Sequence, residues 1–290
     1  MLLLVDLDGV LYRGRQAVPG VAAVLADRAA RGDIVVYVSN NSIYHRTDYV
    51  ARLEAMGAPV AADRVVGSAR ATALYLIHHD TPVRRVLVVG APGLRRELAD
   101  VGIEVLDAGE RAELLSRRTA ESKLDGSYVD EVEIAGRPDA VVVALDPDVT
   151  YGKLAVAGIA IRAGARFIAT NLDPALPTER EFRPGAGAIV AAVATTTGQT
   201  PTAIGKPAPG ILEEAARLAG FNASDAIMIG DGLKTDIAAA RAVGCRSVLM
   251  LTGVTSREQY DALPPDERPT EVAADAAELA AALQRLAAAG

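Results

Sequence analysis

Two aspartates one residue apart, Asp6 and Asp8, close the opening run LLLVDLDGVLY. On a strand, residues i and i+2 share a face, so their carboxylates would crowd each other. Like charges that close are costly unless a cation or a proton shares the site. The doublet is therefore either a metal-dependent carboxylate site or an acidic turn. Three later stretches carry matching chemistry: VSNNS with Ser39, Asn40 and Asn41, GKPAPG with Lys206, and GDGLKTDI with Asp231 and Asp236. Hard oxygen ligands beside hydroxyl, amide and lysine donors suit Mg²⁺ and a phosphate anion together. Zinc is not indicated, because His45, His78 and His79 lack a ligand spacing.

At such a site one carboxylate can attack phosphorus and form an aspartyl-phosphate. Mg²⁺ would screen the repulsion between nucleophile and phosphate. Backbone N–H groups of a tight turn at Gly9 can receive the same phosphate. The second carboxylate protonates the leaving alkoxide and then deprotonates water.

These residues need elements to position them. Short apolar runs at 2–5, 34–38, 86–89, 140–145, 166–169, 226–229 and 247–251 read as strands. Between the first two, PGVAAVLADRAARG has a helical stripe opened by Pro19 and closed by Gly32. ILEEAARLAG and DIAAARAVG repeat a stripe with a terminal glycine, and PGAGAIV reads as chain return into a helix. Strands alternating with helices predict an α/β fold with a parallel sheet. In such sheets functional loops sit at the carboxyl ends of strands, where all four polar stretches fall.

Bulk properties restrict the classes. A chain of 290 residues is long enough for two domains, and a formal charge of −7 argues against nucleic acid or an anionic membrane as partner. The single cysteine, Cys245, allows no internal disulfide and reads as core packing; it fits a reducing compartment. MLLLV meets Asp6 too early for a signal peptide, and no run reaches the ~20 apolar residues of a membrane helix, so a cytoplasmic location is expected. His45 reads as a partly exposed helix-start residue in preference to a substrate contact.

DLDGVLY, VSNNS, GKPAPG and GDGLKTDI, in this order, resemble the four motifs of the haloacid dehalogenase (HAD) superfamily of phosphohydrolases. The fuller resemblance is to its class IIA branch, supported by TNLDPALPTEREFRPGAGAIVAAV and VLMLTGVTS. It implies a Rossmann-like parallel-sheet core over 1–80 and 183–290, with a smaller α/β cap inserted over 81–182 that closes over the site and selects the leaving group. By motif, Asp6 would be the nucleophile and Asp8 the general acid/base. Asp6, the Asp8 backbone carbonyl and Asp231 would hold Mg²⁺. Asp236 would support the metal's waters or orient Lys206, which clamps phosphate and nucleophile. Ser39 stands where threonine is commoner, and Asn40 and Asn41 add amide donors.

In the cap, Asn171 and Asp173 match the family pattern, whereas Ala175 and Leu176 fall where substrate-reading residues vary. Those two offer neither charge nor an aromatic platform, which favours a small leaving group. The segment 108–139 is longer and more charged than the family leads one to expect, and reads as an extra helix or hairpin or as a partner contact. Relatives more often carry Ser-Arg-Thr-Pro where this chain has SIYHRTDY. The implied function is Mg²⁺-dependent hydrolysis of a small phosphate monoester, with sugar, polyol and glycolate phosphates as the substrate types. A catalytically silent phosphometabolite-binding protein and a phosphomutase are the alternatives on the same fold. The cap also offers a face for a homodimer.

Overall fold

The computed structural model describes residues 1–79, 81, 83–177 and 181–288. Residues 178–180 of the TNLDPALPTEREF stretch, and residue 80 at the expected domain border, lie outside them. The chain divides into two compact units. One comprises Met1–Ser39, Arg46–Gly67 and Gly205–Gly290; the other comprises Asn40–His45 and Ser68–Ile204. The expected insert, 81–182, falls inside the second unit.

The first unit is built on a six-stranded parallel sheet. Its order is Glu271–Ala273, Arg246–Met250, Ala226–Gly230, Leu2–Asp6, Ile34–Ser39, Val65–Gly67. The central strands Leu2–Asp6 and Ala226–Gly230 are buried at every position, because parallel strands are covered on both faces and need continuous apolar runs. Val21–Ala30, Gly210–Ala219 and Ala276–Ala288 are helices of this unit. Leu25, Leu279 and Leu283 join Leu3, Val5, Tyr37 and Ile229 in one buried cluster. Register brings the polar strand ends to the same edge of the sheet: Asp6 lies opposite Val38, and Ser39 opposite Gly67.

The second unit holds a five-stranded parallel sheet, ordered Thr202–Ala203, Arg166–Ala169, Ala140–Val143, Arg85–Val89, Glu104–Asp107. Its core packs Leu87, Val141, Val143 and Phe167 against Val156, Ile161 and Val193. The charged 108–139 segment is helical. Ala108–Asp125 is capped by Asp107, which accepts from the Gly109 and Glu110 amides, and ends at left-handed Gly126. Glu131–Ala135 follows, capped by Asp130. PGAGAIV leads into the Ala186–Thr197 helix.

The differences from the sequence reading are local. The 140–145 strand ends at Val143. The 236–244 helix opens with a π-helical turn, Leu233–Ile237, before Ala238–Val243 turns α-helical. Three edge strands of three or four residues are too short to announce themselves: Val65–Gly67, Glu104–Asp107 and Glu271–Ala273. No helix among the described residues is long and apolar enough to cross a membrane.

Candidate active site

The site begins where the first strand runs out. Asp6 is the last residue of Leu2–Asp6 and is buried. Lys206 Nζ donates to Asp6 Oδ1 at 2.6 Å and to Asp236 Oδ1 at 2.6 Å. The lysine is 3% exposed, so these two carboxylates replace its water. Asp236 is fixed in turn, its Oδ2 accepting from the Gly232 amide at 2.9 Å. The π-helical turn thus carries a side chain that reaches back to its own entry residue.

Asp231 follows directly on the Ala226–Gly230 strand. Its Oδ2 accepts from the Val254 amide at 2.7 Å, and its backbone carbonyl accepts from Thr255 Oγ1 at 2.5 Å. Two glycines make room for the carboxylate. A Cβ on either Gly9 or Gly253 would collide with it, and Gly9 also has a φ of 84° that L side chains rarely adopt. Thr252 Oγ1 donates to the Gly9 carbonyl at 2.6 Å and ties that turn to the same loop.

Carboxylate oxygens of Asp6, Asp231 and Asp236 lie within 4.8 Å of one another, and all three residues are buried. The electrostatics follow from crowding. Burial, reinforced by Asp236 and Asp231 against the pull of Lys206, pushes Asp6 up to about 8. Burial and Asp236 push Asp231 up to about 6. Burial alone would lower the Lys206 ammonium, but Asp236 and Asp6 override it and hold it above its usual range. One ammonium against three carboxylates leaves an excess of negative charge that a divalent cation neutralises. The donor set is all oxygen, so it fits a hard ion such as Mg²⁺ and not zinc. Both Asp236 oxygens are already engaged, one by Lys206 and one by the Gly232 amide. Asp6 and Asp231 are accordingly the better placed carboxylate ligands.

Asp8 stands apart from this trio, with an exposed side chain. Partial desolvation raises its proton affinity, opposed by the Arg52 charge and by bonds from the Gly14 and Gly9 amides. Arg52 lies over the Tyr12 ring at 3.5 Å and donates to the Gly14 carbonyl, clamping the Tyr12–Arg13 and Gln16–Ala17 hairpin. Ser39 ends the Ile34–Ser39 strand with a partly exposed side chain.

The remaining sequence candidates meet within the second unit. Asn40 Nδ2 donates to Asp173 Oδ2 at 3.0 Å, and Asn171 Nδ2 donates to the Asn40 carbonyl at 2.7 Å. Asn41 Oδ1 accepts from the Ile43 amide at 2.8 Å and closes a local turn. Asn171 and Asp173 therefore grip Asn40. Ala175 and Leu176 lie on the Ala175–Pro177 strand, half-buried.

His45 differs from the reading as partly exposed: it is 4% exposed, its Nε2 facing Asp100 Oδ2 at 3.0 Å and Glu97 Oε1 at 3.5 Å. Helix-start placement holds, since Arg46 occupies the N-cap position of Thr47–Ala55. Burial comes from the Pro92–Asp100 helix, whose acids are about fifty residues away and leave no local trace. Cys245 is half-buried, and that burial pushes its thiol up to about 11.

Sequence reasoning assigned no role to Gly253, Val254, Thr255 or Arg52. VLMLTGVTS marked that stretch as notable, but nothing in its composition says that it cradles Asp231.

Residues 3–104 match the haloacid dehalogenase-like hydrolase family, and residues 203–279 match the HAD-hydrolase-like family. The chain is 37% identical over 273 residues to the D-glycerol 3-phosphate phosphatase of Mycobacterium tuberculosis, covering 94% of this chain and 69% of that protein. It is 35% identical over 264 residues to an acid sugar phosphatase of Staphylococcus saprophyticus, covering 90% and 91%. The crystal structure of glycerol phosphate phosphatase from M. tuberculosis in complex with magnesium superposes with a TM-score of 0.78 at 37% identity. That superposition covers 96% of this chain and 75% of the other. Strand-end carboxylates around a buried lysine, on a parallel sheet, and this identity over nine-tenths of the sequence lead to one assignment: the chain belongs to the haloacid dehalogenase-like hydrolase family.

Proposed function

We propose that this protein hydrolyses the phosphate monoester of a small metabolite, a polyol or sugar phosphate, through a covalent phosphoryl intermediate on Asp6. The observation that carries the reading is the buried Asp6–Lys206–Asp236 chain of ion pairs with Asp231 beside it. A structural ion pair has no use for the two surplus carboxylates. The relatives' names support the substrate class, since one acts on D-glycerol 3-phosphate and another is an acid sugar phosphatase.

Mg²⁺ is the ion we assign to Asp6, Asp231 and the Asp8 backbone carbonyl; when bound it supplies charge neutralisation for phosphate and nucleophile. The chain's own groups do the rest. Lys206 holds Asp6 Oδ1 and so fixes the rotation of the nucleophilic carboxylate. An Asp6 oxygen bonds to phosphorus as the ester oxygen departs with its electron pair, taking a proton from Asp8. Asp8, now a carboxylate, removes a proton from water, whose oxygen attacks phosphorus and breaks the Asp6–phosphorus bond. Inorganic phosphate and the original carboxylate result. Asp8's exposure lets it reach both leaving group and water, and its raised proton affinity suits an acid. Ser39 Oγ and the backbone amides of Asn40 and Asn41 are the donors we assign to phosphate and substrate, since the Asn40 carboxamide already donates to Asp173. Asn171 and Asp173 hold Asn40 for that task. We assign leaving-group selection to the second unit, and a cytoplasmic location fits the single cysteine.

The test is phosphate release from a panel of monoesters, with Mg²⁺ and with a chelator. Metal-dependent release is expected, and Asp6→Asn is expected to lower turnover by about 10⁴-fold. Unchanged release in that variant would remove the covalent step. An isomer in place of free phosphate would identify a mutase, and binding without turnover a silent relative.

A further inference from the structure

The six residues Asn40–His45 belong by their packing to the second unit, although they continue the Ile34–Ser39 strand of the first. Their leading end is held by Asn171, by Asp173 and by Ser68, whose Oγ donates to the Asn40 carbonyl at 2.6 Å. Ser42 is 1% exposed. The trailing end is held on the Pro92–Asp100 helix in two ways. Its backbone at Ile43 to His45 lies so close to Gly93 that a Cβ there would collide with it. Its last side chain, His45, aims Nε2 at Asp100 and Glu97.

Carboxylate oxygens can only accept, so Nε2 carries the proton in this contact. Glu97 is 1% exposed and also has a cation opposite it, with Arg70 Nη1 3.7 Å from Oε2. Two carboxylates here face one guanidinium and an imidazole N–H, which leaves one uncompensated charge against two in the Asp6 trio, and Asp100 meets solvent. His45, Glu97 and Asp100 also bring ligating atoms within 4.8 Å. Because both acids face the last side chain of the loop, the cluster reads as a clasp.

We propose that His45 is a positioning residue for the substrate loop: by fastening the end of Asn40–His45 to Asp100 and Glu97, it fixes where Asn40 and Asn41 present their amides. The assignment of those amides to substrate rests on the phosphatase reading; the clasp itself does not. A positioning residue of this kind acts on affinity. Loosening the loop costs ordering energy each time a ligand is bound, while the nucleophile, lysine and metal ligands stay in place.

The experiment compares wild type with His45→Ala, His45→Gln and Asp100→Asn. Asp100 is partly exposed, so its variant tests the clasp without emptying a buried position. Hydrogen exchange of the 41–45 amides is expected to speed up about tenfold or more in His45→Ala and Asp100→Asn, the range for losing a charge-assisted hydrogen bond. With a polyol phosphate, KM should rise about tenfold while kcat changes less than about threefold. His45→Gln, whose amide can reach the same acceptors, should recover part of both. Unchanged exchange at 41–45 would overturn the clasp. Faster exchange with kcat lost and KM intact would overturn its substrate role. Stoichiometric Zn²⁺ binding to metal-stripped wild type that disappears in His45→Ala would replace the clasp with a metal site. If wild type releases no phosphate from any ester, the phosphatase reading fails, while the exchange result still decides the clasp.

Discussion

Two clusters in this molecule look alike by inventory and differ in charge. Around Lys206, three buried carboxylates share one cation. Around His45, two carboxylates face a guanidinium and an imidazole N–H. The first cluster is incomplete by its own electrostatics: burial and mutual repulsion drive Asp6 and Asp231 toward protonation. The second has one cation for two carboxylates, and one of these, Asp100, reaches solvent. Ligating atoms that converge are thus no evidence for a metal until the cations already present have been counted.

The comparison can be broken most sharply at Lys206. Lys206→Met removes the ammonium that bridges Asp6 and Asp236 and leaves two buried carboxylates facing each other. Metal-free stability should fall by about 3–5 kcal/mol, read by urea unfolding, and turnover should become undetectable or nearly so. A variant as stable as wild type would mean that the lysine does not bear the charge balance described.

A smaller effect is expected at Gly253→Ala, where the added methyl pushes against the Asp231 carboxylate. Mg²⁺ affinity should weaken about 10–100-fold by calorimetry, with the fold intact by circular dichroism. Unaltered affinity would exclude Asp231 from the ion's ligands.

Metal and pH together sharpen the contrast further. Asp6 is raised from 3.8 to about 8, so between these values the folded metal-free protein binds more protons than the unfolded chain. Stability is then highest below the unfolded value and is lost as pH rises through the folded one. A bound divalent cation takes the protons' place. The rise in Tm on adding Mg²⁺ should therefore grow between about pH 5.5 and pH 8, by a few degrees in this size class. A shift that shrinks with pH would contradict the surplus of negative charge.

The smallest change is expected at the His45 cluster. Glu97→Gln removes the buried carboxylate that faces Arg70 and should cost about 1–3 kcal/mol. The increase in Tm caused by Mg²⁺ should not move. If it did, the two clusters would not be independent.

Much of the candidate site was legible before any coordinates, for a reason visible in particular residues. Parallel strands advertise themselves as apolar runs, so LLLV and AIMI could be placed, and the polar residues that end them became candidates. Asp6, Ser39, Lys206 and Asp231 follow from that rule, with Asp236 five residues beyond the last, and motif resemblance added their separate roles. Edge strands such as Glu104–Asp107 escaped it because charged ends interrupt their short runs. The roles of the cap candidates were less accessible. Asn171 and Asp173 matched a pattern, but their grip on Asn40 spans more than 130 residues of chain.

What the sequence by itself determined is which residue types end which strands, since local periodicity and punctuation encode burial and chain reversal. Only the tertiary structure decided who neutralises whom. The Gly9 turn meets Thr252 across 243 positions, Lys206 meets Asp6 across 200, and His45 disappears beneath a helix that begins at Pro92. Charge compensation is a property of distances within a few ångströms, and those distances arise from packing that local sequence patterns do not record.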